Sequence, residues 1–105
     1  MNMKAKSLLR YREFAMGDQE YPSIRDSFAP SAYAGRDEIA AYLRNGRVTL
    51  CATSAAVDVL TGQMIDGQRC LMTDGEYSWN NTLAYYVEKY NLRLPAEFEE
   101  KVLSA

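Results

Sequence analysis

The chain has 105 residues, of which 48% are hydrophobic and 25% are charged. This length and composition indicate one globular domain with its own core, and they exclude a chain that is disordered throughout. The net charge of −2 argues against a general nucleic-acid binder, which is usually basic. Residues 1–50 carry a net charge of +2 and residues 51–105 a net charge of −4, a difference that ordinary surface scatter also explains.

The sequence predicts a cytoplasmic protein. No apolar segment approaches the ~20 residues that a membrane-spanning helix needs, and Lys4, Lys6 and Arg10 interrupt the start of the chain where a secretory signal would be apolar. Two cysteines, Cys51 and Cys70, do not make a disulfide framework. We therefore expect both thiols to be free in a reducing compartment, with a redox pair as the alternative.

The first third of the chain gives weak signals. Residues 1–7 are expected to be a frayed terminus, and residues 8–16 fit a short strand and a turn of helix equally well. Residues 22–29 predict a short helix with Pro22 at its first position. Pro30 ends it, because the residue before a proline disfavours the α conformation.

The first strong helix signal covers residues 36–45. Asp37 and Glu38 in its first turn and Arg44 in its last turn complement the helix dipole. Gly46 is expected to end the helix in the left-handed conformation. Alternating side chains then predict a strand over residues 47–54 and a further short strand around residues 57–60, followed by two turn signals that contain glycine.

The pair Asp74-Gly75 is the strongest hairpin signal of the chain. It lies between predicted strands at residues 69–73 and 76–79, and an Asp-Gly pair favours a two-residue turn. The register of such a turn puts four side chains on one apolar face, namely Cys70, Met72, Tyr77 and Trp79. The opposite face consists of Leu71, Thr73, Glu76 and Ser78. That face is mostly polar, so we expect it to meet solvent or a binding partner.

A second clear helix is predicted over residues 82–90, with Asn80 or Asn81 as its N-cap. Its apolar stripe follows the helical period and consists of Leu83, Tyr86, Val87 and Tyr90. Tyr85 faces outward. Pro95 opens a last short helix.

The sequence predicts no catalytic residue, no metal and no cofactor. Histidine is absent, which removes the commonest general base and the commonest metal ligand and excludes Ser-His-Asp and Cys-His arrangements. Two cysteines cannot complete the four ligands of a zinc site. Neither GxxxxGK[ST] nor GxGxxG occurs, so no phosphate-binding loop is indicated.

Three groups of side chains are weaker candidates for a site, and each has a plainer explanation. A carboxylate cluster for a cation or for acid–base chemistry would consist of Asp58, Asp66, Asp74 and Glu76, although turns and solvated edges explain these acids. An aromatic surface would consist of Tyr77, Trp79 and Tyr85, although the register makes two of them core residues. A basic patch would consist of Arg10, Arg12, Arg36, Arg44 and Arg47, which ordinary surface positions also explain.

Residues 73–98, TDGEYSWNNTLAYYVEKYNLRLPAEF, resemble a group of short bacterial proteins of uncharacterised function. The group shares a TDG-x-Y-x-W segment, a helix of the form L-x-YYVEKY and an L-x-LP-x-EF segment. The upstream order of DEIAAYLRNG, a strand and DVLTG is also similar. The group prefers a proline directly after the tryptophan, where this chain has Asn80. The resemblance implies a shared compact fold and a bacterial origin, and it implies no activity.

Together these patterns predict a single α+β domain over residues 1–105. A small antiparallel sheet of three to four strands carries two main helices, at residues 36–45 and 82–90, on one face. The expected core consists of Ile39, Tyr42, Leu43, Val48, Leu50, Met72, Tyr77, Trp79, Leu83, Tyr86, Val87, Tyr90, Leu94 and Phe98.

For function we expect a non-catalytic protein-binding or accessory module, for example an immunity or antitoxin-like protein. Its partner is expected to be another protein or a second copy in a homo-oligomer, and neither nucleic acid nor a membrane. The predicted binding residues are Asp74, Glu76, Trp79 and Tyr85, because acids steer a basic partner and aromatic rings anchor it. The alternative is a small-ligand binder or weak enzyme with a tyrosine-lined pocket, which needs a concave site beside Tyr77, Tyr85 or Tyr86.

Overall fold

The computed structural model describes residues 5–14 and 20–104, with the backbone alone at Asp66. The elements in chain order are β1 (Lys6–Ser7), a 3₁₀ turn (Ile24–Ser27), α1 (Arg36–Arg44), β2 (Arg47–Val57), β3 (Met64–Thr73), β4 (Tyr77–Asn80), α2 (Leu83–Tyr90) and α3 (Ala96–Leu103). The protein is therefore α+β, as predicted, with a third helix beside the two main ones.

The strands of the described residues form one four-stranded sheet in the order β1-β4-β3-β2. The sheet is mixed and not purely antiparallel as expected, because β1 runs parallel to β4. Lys6 and Ser7, which were expected to fray, pair with Tyr77 and Ser78. The rest of that predicted frayed terminus, up to Lys4, lies outside the described residues.

Helix α1 confirms the prediction for residues 36–45, but Gly46 does not end it in the predicted way. The glycines with a left-handed backbone in the described residues are Gly35, Gly62, Gly67 and Gly75. Gly46 is needed for another reason, since a Cβ atom there would lie 2.5 Å from Cζ2 of Trp79. The absent side chain lets the indole pack beneath the end of α1.

Helix α2 confirms the prediction for residues 82–90, although neither predicted asparagine caps it. Its N-cap is Thr82. The Asn81 side chain instead accepts a hydrogen bond from the backbone N of Cys70 and donates one to the carbonyl of Gln68. These bonds tie the start of α2 to β3. Asn91 ends the helix in the left-handed conformation, with φ of 58°.

The hairpin between β3 and β4 forms, but its predicted two-residue turn is wrong. Thr73 pairs with Ser78 and Met72 with Trp79, and the backbone N of Asp74 donates to the carbonyl of Tyr77 at 3.2 Å, so the chain reverses within residues 74–77, with Tyr77 already the first residue of β4. This register differs from the predicted one by two residues. A shift of two keeps each side chain on its face. Met72 and Trp79 therefore share the buried face, as predicted.

The core lies between the helices and the β3–β4 side of the sheet. The side chains of its buried cluster are Leu8, Tyr11, Ile24, Ile39, Ala40, Leu43, Met72, Tyr77, Trp79, Leu83, Ala84, Tyr86, Val87, Leu92, Leu94 and Phe98. Phe98 of α3 is fully buried, and its ring centre lies 5.7 Å from that of Tyr42, 5.1 Å from that of Tyr77 and 5.8 Å from that of Trp79. Each such aromatic burial stabilises the fold by roughly 1.5–3 kcal/mol.

Two predicted core residues and one predicted strand are wrong. Val48 and Leu50 are 53% and 69% exposed, and both lie on β2, the edge strand of the sheet formed by the described residues. No separate strand forms at residues 57–60. Val57 ends β2, and the next residue, Asp58, begins the turn that leads to β3, with its backbone N bonded to the carbonyl of Gln63 at 2.8 Å.

Candidate functional site

Asp74, a predicted binding residue, holds the β3–β4 loop in place through internal hydrogen bonds. One carboxylate oxygen accepts the backbone N–H groups of Glu76 and Tyr77 at 2.9 and 2.7 Å. The other accepts the Tyr42 hydroxyl at 2.6 Å and the Lys101 ammonium at 2.8 Å. These bonds join the loop to α1 and α3.

The Asp74 carboxylate is held in its charged form. Burial alone would raise its pKa, but the hydrogen bonds from Lys101, Tyr42 and the loop backbone outweigh burial and lower the pKa well below its usual range. The same contacts with Asp74 and Glu76 raise the pKa of Lys101. Glu76 lies 2.9 Å from the Lys101 ammonium and remains half exposed, so it still meets solvent.

Trp79 cannot anchor a partner in the way that the sequence predicted. Its side chain is completely buried, and Nε1 donates a hydrogen bond of 3.1 Å to the carbonyl of Leu43. The indole therefore fastens the end of α1 to the sheet. Its ring edge is occupied by Tyr42 and Phe98, which leaves none of it for a binding surface.

Tyr85, the fourth predicted binding residue, belongs to a different cluster around Asp58. The Asp58 carboxylate is completely buried and accepts the hydroxyls of Tyr85 at 2.7 Å and Tyr90 at 2.6 Å, and the backbone N of Leu60 at 2.7 Å. Lys89 donates to the Tyr85 hydroxyl at 3.0 Å. This cluster fixes the β2–β3 turn on helix α2.

The hydrogen bonds determine the ionisation of the Asp58 cluster. Burial works to raise the pKa of Asp58, but the donors Tyr90 and Tyr85 and the turn backbone lower it overall. The pKa of Tyr90 is raised, first because its hydroxyl donates to this carboxylate and then because it is buried. Asp58 is thus a charged acid at neutral pH whose partners are all internal donors.

The predicted carboxylate cluster does not form. Asp58 bonds to the tyrosines of α2, whereas Asp74 and Glu76 meet at Lys101. The side chain of Asp66 lies outside the described part of the chain. No three metal-binding side chains of the described residues come together, so no cation site is found among them.

The predicted basic patch is divided among separate acids. Arg10 pairs with Glu97 at 2.9 Å, and Arg44 forms a two-point ion pair with Glu88. Arg36 bonds to Asp37 and to the side chain of Asn91. Three of the five guanidinium groups of the predicted patch thus have local partners, and those of Arg36 and Arg44 join α1 to the end of α2.

Cys51 and Cys70 are joined by a disulfide, so the expectation of two free thiols is wrong. The two residues lie directly opposite each other on β2 and β3, with Cα atoms 4.0 Å apart. Cys51 is exposed and Cys70 is half-buried, so the bridge lies outside the core where Cys70 was predicted. The signal that sequence reasoning missed is this cross-strand pairing, which depends on the β2–β3 register.

The β2–β3 hairpin, Arg47–Val57 with Met64–Thr73, leaves large apolar side chains in solvent. Their exposed fractions are 53% for Val48, 69% for Leu50, 45% for Val57, 75% for Met64 and 36% for Leu71. Strand β2 is also the edge of the sheet, so its outer row of backbone N–H and C=O groups has no strand partner within the described residues. After Arg47, β2 carries no charged residue and no proline.

Two concave regions bear on the alternative of a small-ligand site. The larger has a volume of about 500 Å³ and lies between the N-terminal segment, the 3₁₀ turn and the residues just before α3, with Tyr11, Tyr21 and Phe28 in its lining. The other, about 250 Å³, lies beside Tyr86 and is also lined by Glu13 and Arg69. Of the three tyrosines named for a pocket, Tyr86 is the one that lines a cavity of this size.

Comparison with protein families, with curated proteins and with solved structures finds no match. The bacterial group that the sequence resembles therefore stays a prediction. None of the helices in the described residues is long and apolar enough to cross a bilayer.

Of the four predicted binding residues, Glu76 is exposed, Tyr85 is half-buried, and Asp74 and Trp79 are committed to internal contacts. The structure brings Asp74 and Glu76 together and places Tyr85 in a separate cluster. Sequence reasoning assigned Val48 and Leu50 to the core, and both lie on the surface of the β2–β3 hairpin. Their signal was present as uncharged alternation in β2, which was interpreted as burial.

Proposed function

We propose that this protein is a non-catalytic protein-binding module and that the β2–β3 hairpin is its binding surface. The observation that carries the proposal is the exposure of Leu50 and Met64 on a hairpin whose outer strand has no further strand partner among the described residues. Proteins normally protect such edges with charged residues or prolines, and β2 has neither after Arg47. Three register shifts within β2 and β3 limit how regularly a partner strand could pair there.

Two interactions would stabilise the complex. A strand or loop of the partner would satisfy part of the outer backbone row of β2, as in binding by strand addition. The partner would also cover Val48, Leu50 and Met64, and full burial of such side chains contributes roughly 1.5–3 kcal/mol each. The anchors are thus aliphatic side chains of the hairpin, in place of the buried Trp79.

We propose an immunity or antitoxin-like role first among binding modules. Such proteins act by binding alone, which agrees with a chain that has no histidine. The described residues also bring no catalytic set of side chains together, since Asp58 and Asp74 are enclosed by internal donors. A role of this kind needs a partner-binding surface and a stable core and nothing further.

Affinity capture from an extract of the source organism tests this proposal. The wild-type chain should capture one protein in stoichiometric amount, and the double variant Leu50→Lys/Met64→Lys should lose it. Leu103→Lys is the matched control, because Leu103 is an exposed leucine of α3 at 46% and lies outside the hairpin. Circular dichroism should show the same folded spectrum for all three proteins.

The absence of a stoichiometric partner would contradict the proposal. Capture that the double variant retains would also contradict it, because the hairpin would then not be the surface. Loss with Leu103→Lys but not with the hairpin variant would assign binding to α3.

The small-ligand alternative rests on the cavity of about 250 Å³ beside Tyr86, where Glu13 and Arg69 supply opposite charges. This cavity falls below the roughly 300–1,000 Å³ of most ligand sites. The Tyr86 hydroxyl is already bonded to the backbone of Val57 and Val59. A thermal-shift screen with small zwitterions tests it, and a rise in Tm that Arg69→Gln abolishes would favour this function over protein binding.

A further inference from the structure

The Cys51–Cys70 disulfide lies within the proposed binding surface. Cys51 is exposed, and the bridge borders a surface concavity of about 280 Å³ that is also lined by Leu50 and Arg69. A bridge buried in a core would be out of reach of a reductant, whereas exposed disulfides are the ones that exchange readily with thiols.

We propose that this disulfide is a thiol-exchange switch that low-molecular-weight thiols of the glutathione type open and close, and that it sets the conformation of the β2–β3 hairpin. The inference rests on the proposed function in one respect, namely that the hairpin is the binding surface. The switch itself concerns two cysteines, their oxidation state and the register of two strands.

The bridge fixes the register beside a segment that fixes it poorly. Between the pairs Cys51–Cys70 and Ala55–Gln68, three residues of β2 oppose the single residue Arg69 of β3. Two extra residues of β3, at 66 and 67, then restore the original register at Ala56–Ile65. The two irregularities compensate each other, so an even ladder without either bulge is available to the same strands.

The side chains of this segment do not select between the two ladders. Residues 52–55 of β2 are Ala, Thr, Ser and Ala, and residues 67–69 of β3 are Gly, Gln and Arg. Register is weakly specified in strands of small, polar or glycine-rich composition that bury neither face. Cys51 and Cys70 lie opposite each other in both ladders, so the covalent bond does not select between them. It holds the two strands together at the border of this segment, where packing supplies no such constraint.

The exchange proceeds through two displacements. A glutathione thiolate attacks one sulfur of the bridge, the S–S bond breaks, and its electron pair leaves on the other cysteine as a thiolate. A second glutathione thiolate attacks the mixed disulfide and releases the first cysteine. Two glutathione molecules are oxidised to their disulfide, and the protein gains two electrons and two protons as two thiols.

Arg69 favours both displacements. It precedes Cys70 and lines the same concavity, and its guanidinium group bonds to the Ser54 hydroxyl at 3.2 Å while remaining exposed. This group attracts the carboxylates of glutathione.

The test is a glutathione titration of the intact protein, followed by alkylation and mass measurement. The air-oxidised protein should carry no alkyl group, and millimolar glutathione should produce the doubly alkylated form by way of a glutathione adduct. Arg69→Gln should slow the reaction severalfold. Amide hydrogen exchange in residues 48–57 and 64–71 should become about tenfold faster on reduction, whereas α2 should not change.

Cys51→Ser/Cys70→Ser is the matched variant that reproduces the reduced state. It should show the fast hairpin exchange in every glutathione buffer. Three results would each overturn the switch. They are free thiols in the air-oxidised protein, a bridge that millimolar glutathione does not reduce, and a hydrogen-exchange rate of the hairpin that does not change on reduction.

Capture of a partner by both redox forms separates the two proposals. Equal capture by the oxidised and the reduced form, together with unchanged hydrogen exchange, would leave the binding function standing and overturn the switch. A redox-dependent hairpin that captures no partner in either form would support the switch and overturn the binding function.

Discussion

Asp58 shows how a single buried charge organises two elements. A carboxylate without partners in the interior is strongly destabilising, and it is tolerated when hydrogen bonds replace its lost water. Tyr85 and Tyr90 supply two of these bonds from successive turns of α2, and the turn backbone supplies another at Leu60. The residue that begins the β2–β3 turn is therefore bonded to the helix on which the turn rests.

Removal of this carboxylate should destabilise the folded protein. Asp58→Ala leaves two tyrosine hydroxyls and a backbone N–H without their acceptor, and we expect the free energy of unfolding to fall by about 3 kcal/mol. The control is Asp26→Ala, because Asp26 is an exposed acid that makes no side-chain bond found in the described residues, and we expect no measurable change. Urea unfolding at neutral pH measures both.

The difference between wild type and Asp58→Ala should shrink in acid. Because the pKa of Asp58 is lowered on folding, its stabilising contribution is present above the ordinary value of about 3.9 and is lost as pH falls. An equal effect of Asp58→Ala and Asp26→Ala would contradict the role assigned to the cluster.

The sequence predicted neither the turn at Asp58, which it placed in a short strand, nor the groups that its carboxylate bonds to. The helical period put Tyr90 on the buried stripe and Tyr85 outside it, and both hydroxyls nevertheless reach the same oxygen. The helical period indicates which side of the helix a residue starts from, but a side chain as long as tyrosine can still reach around the edge of the helix.

At the scale of elements, the β3–β4 loop depends on the Asp74 carboxylate as well as on Gly75, whose φ is 100°. The Asp-Gly pair predicted a two-residue turn, but the Asp74 carboxylate binds the backbone of Glu76 and Tyr77 and thereby closes the chain reversal over residues 74–77. The same carboxylate holds Lys101 of α3. The loop and the last helix are thus fastened by one side chain.

Asp74→Ala should destabilise the protein by about 2–4 kcal/mol, because it removes the loop bonds, leaves the Tyr42 hydroxyl without its acceptor and leaves Lys101 paired with the exposed Glu76 alone. The matched control is Glu76→Ala, which removes an acid that pairs with the same Lys101 but is half exposed and should cost under about 1 kcal/mol. Thermal unfolding measures both. A larger loss with Glu76→Ala than with Asp74→Ala would contradict this assignment.

Elements with a strong local signal could be predicted, and their partners could not. Helices α1 and α2 were predicted from apolar spacing and end residues. The shared face of Met72 and Trp79 was also predicted correctly although the turn was not, because the register error was two residues and strand faces repeat every two residues. Val48 and Leu50 were misplaced because alternation identifies the two faces of a strand but not whether anything covers them.

The remaining errors share a cause in long-range pairing. A two-residue strand such as β1 has no periodic signal, so its parallel pairing with β4 was not accessible. The Cys51–Cys70 bridge depends on the β2–β3 register, and composition alone favoured free thiols. The surface proposed for binding was missed for a related reason, since the sequence gives no strand order and so does not show that β2 is an edge strand.

At the scale of the whole molecule, ionisable groups couple the N-terminal segment to α3. Tyr11 donates its hydroxyl to the carbonyl of Arg93 at 2.7 Å, and Tyr33 donates to that of Leu92 at 2.6 Å. Arg93 forms a two-point ion pair with the buried Glu99. Tyrosine hydroxyls that donate to carbonyls must stay protonated. These contacts are therefore lost, and the stability falls, when the tyrosines ionise at alkaline pH.

The free energy of unfolding should be highest between about pH 5 and pH 9 and should fall on both sides. In acid, Asp58 and Asp74 have lowered pKa values when folded, so their contribution is lost as pH falls below about 4. At alkaline pH the relevant pKa values are raised on folding, so stability is lost as pH rises. Burial, followed by the charge of Glu99, raises the pKa of Tyr33 to about 12, and burial likewise raises that of Tyr11.

Because unfolded tyrosines ionise near pH 10, the stability that Tyr11 and Tyr33 confer is complete below about pH 10 and is lost as pH rises towards their folded pKa values. Urea unfolding across the pH range measures the curve, and tyrosinate absorbance of the native protein measures the protons. Tyr33→Phe is the control. It removes one ionisable hydroxyl, so the free energy of unfolding of this variant should fall less steeply at alkaline pH. Full ionisation of every tyrosine near pH 10 in the folded protein would contradict the buried, carbonyl-bonded hydroxyls on which this coupling depends.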